Sequence, residues 1–132
     1  MPGIYTERPS GAKITARGAQ AIAKMLEVNR ALKSANFSYN SIGDEGTAAL
    51  SDALKTNSTL QTLVLASNGI SAARAQSLAD MLQVNRALTS LNLNHNRIGA
   101  GGAQAIAAAL RGDDMLCLAQ TGSGKTLVFM LP

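Results

Sequence analysis

Residues 60–68 read Leu-Gln-Thr-Leu-Val-Leu-Ala-Ser-Asn, and residues 88–96 read Leu-Thr-Ser-Leu-Asn-Leu-Asn-His-Asn. Both have the form L-x-x-L-x-L-x-x-N, and residues 32–40 follow it with Leu32, Ala35, Phe37 and Asn40. Asn40, Asn68 and Asn96 are thus spaced 28 residues apart, and their surroundings recur with them. Self-similarity at such an interval marks an array of repeated units. Alternating apolar positions before each asparagine predict a short strand.

After each asparagine come Ile42, Ile70 and Ile98, then the pairs Leu50 and Leu54, Leu78 and Leu82, Ile106 and Leu110. Residues four apart share one face of a helix, so each unit is read as strand, turn and helix with facing apolar surfaces. One unit cannot close its own core; stacked neighbours close it together. An earlier unit is visible in Ile14, Gly18, Ile22 and Leu26, but Ala12 stands in its asparagine slot, so this first unit is degenerate.

These units resemble leucine-rich repeats of the ribonuclease-inhibitor type, also found in intracellular innate-immune receptors, over residues 11–111. The resemblance implies an α/β leucine-rich-repeat solenoid of about four units, with a parallel sheet on the concave side and helices on the convex side. The asparagines then have a structural reason. Where a strand leaves its sheet, backbone groups lose their ladder partners, and a buried amide side chain serves them as donor and acceptor.

The 132 residues are enough for one domain with a real core. Hydrophobic residues make up 46% and aromatics only 3%, so Leu, Ile and Ala must fill thin regular layers. The net charge of +4 comes from cations scattered among acids through the helical segments and loops, which favours a solvated exterior over a nucleic-acid face. A single cysteine, Cys117, excludes an internal disulfide and a cysteine metal site. Residues 1–10 carry Glu7 and Arg8 and read as a flexible segment, not as a signal peptide; no eighteen apolar residues follow one another. The expectation is an intracellular, cytoplasmic protein without a membrane span.

From Gly112 to Pro132 the composition changes. Ala119-Gln-Thr-Gly-Ser-Gly-Lys-Thr126, with Gly112, Asp114, the apolar run 115–118, Phe129 and Pro132 around it, resembles the first ATP-binding motif of DEAD-box RNA helicases. In such a motif backbone N–H groups of a Gly-rich turn meet phosphate oxygens at a helix start. Carried over by position, Thr121, Gly122, Ser123 and Gly124 line the cradle, Lys125 supplies charge and Thr126 a magnesium-binding hydroxyl, which implies ATP with magnesium as the ligand. Six residues follow Thr126, and no acidic magnesium motif or second lobe accompanies the loop, so ATP hydrolysis is not expected. A competing reading keeps the 28-residue register: Leu116 follows Leu88, and 116–119 would add a fifth parallel strand that caps the repeats.

Residues between the core leucines point to the opposite face of the strands. They are Ser34, Asn36, Ser38 and Tyr39, then Thr62, Val64, Ala66 and Ser67, then Ser90, Asn92, Asn94 and His95. The candidate contact set for a protein partner is Asn36, Tyr39, Thr62, Val64, Ser90, Asn92, Asn94 and His95, with Tyr39 as the aromatic anchor. His95, the only histidine, lacks carboxylate or cysteine neighbours in sequence and reads as a contact rather than a ligand or base. No catalytic constellation and no metal site is visible. Three readings stand: a non-catalytic protein-interaction module, an ATP-binding helicase-like fragment, and a relic chimera without an evolved function.

Overall fold

A computed structural model of the chain describes residues 3–5, 13–110, 116–119 and 127–130. It is a mixed α/β arrangement with one sheet and four helices: β1 Gly3–Tyr5, α1 Ala16–Val28, β2 Ser34–Asn36, α2 Gly43–Leu54, β3 Thr62–Val64, α3 Ala75–Val84, β4 Ser90–Asn92, α4 Gly99–Leu110, β5 Leu116–Ala119 and β6 Leu127–Met130. A 3-10 turn, Ala72–Arg74, leads into α3. The sheet order is β1-β2-β3-β4-β6-β5.

The repeat is visible in the strand register. Ala35 pairs with Leu63 and Leu63 with Leu91, all parallel. These three side chains are buried, and their strand neighbours are only half-buried, as alternation requires. On the inner side they join Phe37, Leu65 and Leu93, and the helices contribute Leu26, Leu50, Leu54, Leu78, Met81 and Ile106 to the same core. Each fully buried Leu or Ile is worth about 1.5–3 kcal/mol relative to exposure, so this layer is the main source of stability.

Two rows of asparagine tie the units together. Asn68 donates from Nδ2 to the carbonyls of Phe37 (2.9 Å) and Ala66 (3.0 Å), and its Oδ1 accepts from Ile42 N–H at 3.2 Å. Asn96 repeats this with the Leu65 carbonyl at 2.8 Å and the amides of Asn68 and Ile70 at 2.9 Å each. The second row stands at the other end of the units. Asn57 donates to the carbonyls of Leu26 (2.9 Å) and Asn29 (3.2 Å), and Asn85 to those of Leu54 (2.7 Å) and Asn57 (3.2 Å). Their Oδ1 atoms accept from the amides that open the next segment, Thr59 and Leu60, then Ala87 and Leu88. The last carbonyls of a helix have no partner within it, and this second row supplies partners from the following unit.

Helix spacing is set by glycine. A Cβ built on Gly46 would lie 2.6 Å from Ile42 Cγ2 and 2.9 Å from Ala19 Cβ; on Gly102 it would lie 2.7 Å from Ile98 Cγ2 and 3.2 Å from Ala75 Cβ. Only a residue without a side chain lets α2 approach α1, and α4 approach α3, this closely. Arg74 holds the corresponding place between α2 and α3.

Both ends differ from expectation. Residues 3–5 are not a loose segment but a strand: Ile4 pairs with Ala35, 31 residues on, three more than the repeat. Parallel pairing needs only backbone groups, so a strand forms there without the leucine pattern. At the other end Leu116–Ala119 is a strand, but it does not extend the parallel series beside β4. That place belongs to β6, antiparallel to β4 with Phe129 opposite Leu91, and β5 lies outside it, antiparallel to β6.

Candidate interaction surface

On the sheet face turned away from the core, register aligns side chains in rows. Ser34, Thr62 and Ser90 stand side by side, as do Asn36, Val64 and Asn92, with neighbours separated by the strand spacing of about 4.8 Å. All six are half-buried. Beyond the strands the chain turns through Tyr39, Ser67 and His95, whose φ values of 62°, 55° and 58° lie in the left-handed region. Non-glycine residues adopt this conformation rarely, and here it recurs once per unit. The turn is held by backbone bonds to the next unit, Tyr39 N–H to the Ala66 carbonyl at 3.0 Å and Ser67 N–H to the Asn94 carbonyl at 2.9 Å. Tyr39 is 48% exposed and His95 is exposed.

Not every residue expected on this face is available. Ser38 and Ala66 are buried. The Ser38 hydroxyl donates to Asn36 Oδ1 at 2.6 Å, and the same oxygen accepts from Ser38 N–H at 3.0 Å. Asn92 Oδ1 likewise accepts from Asn94 N–H at 2.9 Å. Asn36 and Asn92 therefore shape the turns as well as lining the face, since a side-chain oxygen two residues back is a ready acceptor. Asn94 is half-buried, and its Oδ1 has no hydrogen-bond partner among the described residues.

Charge is unevenly placed. The acids among the described residues, Glu27, Asp44, Glu45, Asp52 and Asp80, all lie on helices, and the sheet face carries none. Asp44 is bound across units: Ser71 donates to it from its amide at 2.8 Å and from its hydroxyl at 2.6 Å. These two bonds, side chain first, hold its carboxyl below the ordinary range, with a smaller push from Arg74 and against the opposing effect of burial. Among the described residues no group of His, Cys, Asp and Glu is arranged to hold a metal ion, and no helix is long and apolar enough to cross a membrane.

Thr121, Gly122, Ser123, Gly124, Lys125 and Thr126 lie outside the described residues. Their flanks are strands on both sides, β5 before and β6 after. The rows that sequence reasoning missed are Asn29, Asn57 and Asn85; their own 28-residue spacing was the available signal.

The family model described as Leucine Rich repeat matches residues 28–51, 56–79 and 84–107, more than half of the chain. The chain belongs to the leucine-rich repeat family. A second model, DEAD/DEAH box helicase, matches residues 101–132 of this leucine-rich repeat chain, which takes in the whole stretch from Gly112 and most of α4 before it. Residues 101–107 satisfy both patterns. No curated protein matches the leucine-rich repeat chain. Among solved structures it is similar to "Leiomodin-1 Actin-Binding Site 2 (ABS2)", with a TM-score of 0.69 and 21% identity over 83% of this chain. The match spans 63% of that structure, and at this identity the likeness is one of fold.

Proposed function

We propose that the chain is a non-catalytic protein-interaction module whose repeats form a short solenoid, with the β2–β4 face on its concave side as the binding surface. The observation that carries this reading is the triple recurrence of an exposed or half-exposed turn residue in left-handed conformation, Tyr39, Ser67 and His95, beside aligned rows of small polar side chains. Strained backbone that recurs in register keeps side chains at fixed positions, which lowers the ordering cost of binding. Tyr39 is the anchor, Val64 the apolar centre, and Asn36, Thr62, Ser90, Asn92, Asn94 and His95 the polar surround. A face without acids suits a partner that brings carboxylates or amides. The solved neighbour is titled an actin-binding site, which supports a protein partner as a class.

Selection of binders from a displayed peptide library against the full chain tests this. Binders should lose affinity at least tenfold when Tyr39→Ala or Val64→Arg is introduced, and keep it with Lys24→Glu on α1. Binders indifferent to both face substitutions would overturn the reading.

The helicase match supports a second reading, nucleotide binding at Thr121–Thr126 without hydrolysis. Titration of a fluorescent ATP analogue with magnesium, intact chain against Lys125→Ala, distinguishes it: saturable binding lost in the variant supports it, and no binding removes it.

A further inference from the structure

The junction between α2 and α3 is unlike the other two. Positions that hold Ala or Gly elsewhere carry polar groups here. Thr47 corresponds to Ala19 and Ala75, Ser51 to Ala23 and Ala79, Arg74 to Gly46 and Gly102, and Ser77 to Ala49 and Ala105. The contacts of the glycines show which way these positions face. Gly102 meets Ala75 Cβ, and Gly46 meets Ala19 Cβ, so the face of each helix that carries these alanines turns toward the glycine of the next. Thr47 and Ser51, one turn apart, therefore face the segment carrying Arg74 and Ser77.

We propose that this junction binds a small tetrahedral oxyanion of the phosphate class, held between Arg74 and Ser51. Ser51 is 1% exposed, and its hydroxyl has no hydrogen-bond partner among the described residues. Arg74 is half-buried, and its Nε is buried with no partner either; its Nη1 reaches only Ser77 Oγ, at 3.5 Å. No ion pair neutralises the guanidinium: the one ion pair among the described residues joins Lys55 to Asp52. Asp44 is the acid that acts on Arg74 through space, and both its oxygens are taken by Ser71. Thr47 spends its hydroxyl on the Gly43 carbonyl at 2.7 Å.

A half-buried guanidinium that makes no ion pair among the described residues and whose neighbouring acid, Asp44, is spent on Ser71, on a segment facing a buried hydroxyl without a partner, is costly unless something fills both needs. An oxyanion fills them. The planar fork of arginine suits oxygen pairs, and the start of α3 adds a favourable dipole. Donors arriving from two different helices suit a tetrahedral anion better than a flat carboxylate. The site lies among the helices, so its failure would leave the sheet-face reading untouched.

The test follows the Nε–Hε NMR signal of Arg74 in the full chain during titration with inorganic phosphate at constant ionic strength, with acetate and a phosphoserine peptide as parallel arms. Phosphate should give a saturable shift, abolished as a thermal stabilisation in Arg74→Gln and weakened at least fivefold by Ser51→Ala, which restores the alanine of the other units. Binding of the peptide as well assigns a phosphate ester; binding of the inorganic ion alone assigns free phosphate. Acetate binding equal to phosphate, a shift shared by all arginines, or no effect of Ser51→Ala would overturn the proposal.

Discussion

Asp44 on α2 grips Ser71 of the following unit with both carboxylate oxygens, one on the amide at 2.8 Å and one on the hydroxyl at 2.6 Å. The other units have Ala in the place of Asp44, so this clasp exists at one junction only. Because Asp44 titrates lower in the folded chain than in the unfolded one, its contribution is fully present above the unfolded value of about 3.9 and is lost as pH falls through the folded value. Thermal melts of the wild type and Asp44→Asn should therefore differ at pH 7 by about 1 kcal/mol and converge as pH falls through the lowered folded value. A difference that stays constant down to acid pH would contradict the clasp.

Asn57 makes two donor and two acceptor bonds with backbone groups of two units. Replacing it by Ala strands four polar groups, two of them in buried bonds and two in part-buried ones, and should cost about 2–4 kcal/mol, read from urea unfolding as a lower midpoint at similar slope. Asn57→Asp keeps the acceptors and loses the donors, so its loss should persist at pH 7. An Ala variant within 0.5 kcal/mol of wild type, about the effect of an ordinary surface change, would mean the second row is decorative.

Glycine-to-alanine exchanges in helices should split by position. At Gly101 a Cβ meets nothing within 4 Å, so the exchange should stabilise by about 0.5–1 kcal/mol through helix propensity. At Gly46 the same atom falls 2.6 Å from Ile42 Cγ2, and α1 and α2 must part; a net destabilisation of about 1–3 kcal/mol is expected from overpacking. Equal melting shifts for the two variants would contradict the close approach of the helices.

Removal of residues 111–132 takes away β5 and β6 and uncovers the hydrogen-bonding edge of β4. The melting temperature should drop, and light scattering should rise with concentration as open edges pair. An unchanged melt with no scattering would show that the tail does not protect the sheet.

The interior of the repeats was legible because its signal is redundant: Leu63 and Leu91 recur in the same register as Ala35, and Asn68 and Asn96 as Asn40. The half-buried rows on the outer face followed from alternation alone. Ser38 and Ala66 did not, because both follow the last strand residue, where the alternation stops and the turn folds them inward. The tail misled for a related reason. Leu116 keeps the 28-residue interval from Leu88, but apolar alternation carries no information on strand direction. The junction at Arg74 was not read from the sequence: the substitution of Arg74 for Gly46 and Gly102 gains its meaning only from the distances at those two glycines.

An array of parallel strands can in principle be lengthened by one more identical unit, because each new edge offers the same hydrogen-bonding template as the last. The reversed run of β6 against β4 changes that template. A further repeat inserted after α4 would first have to evict the returning strand, so the parallel series closes on a change of direction.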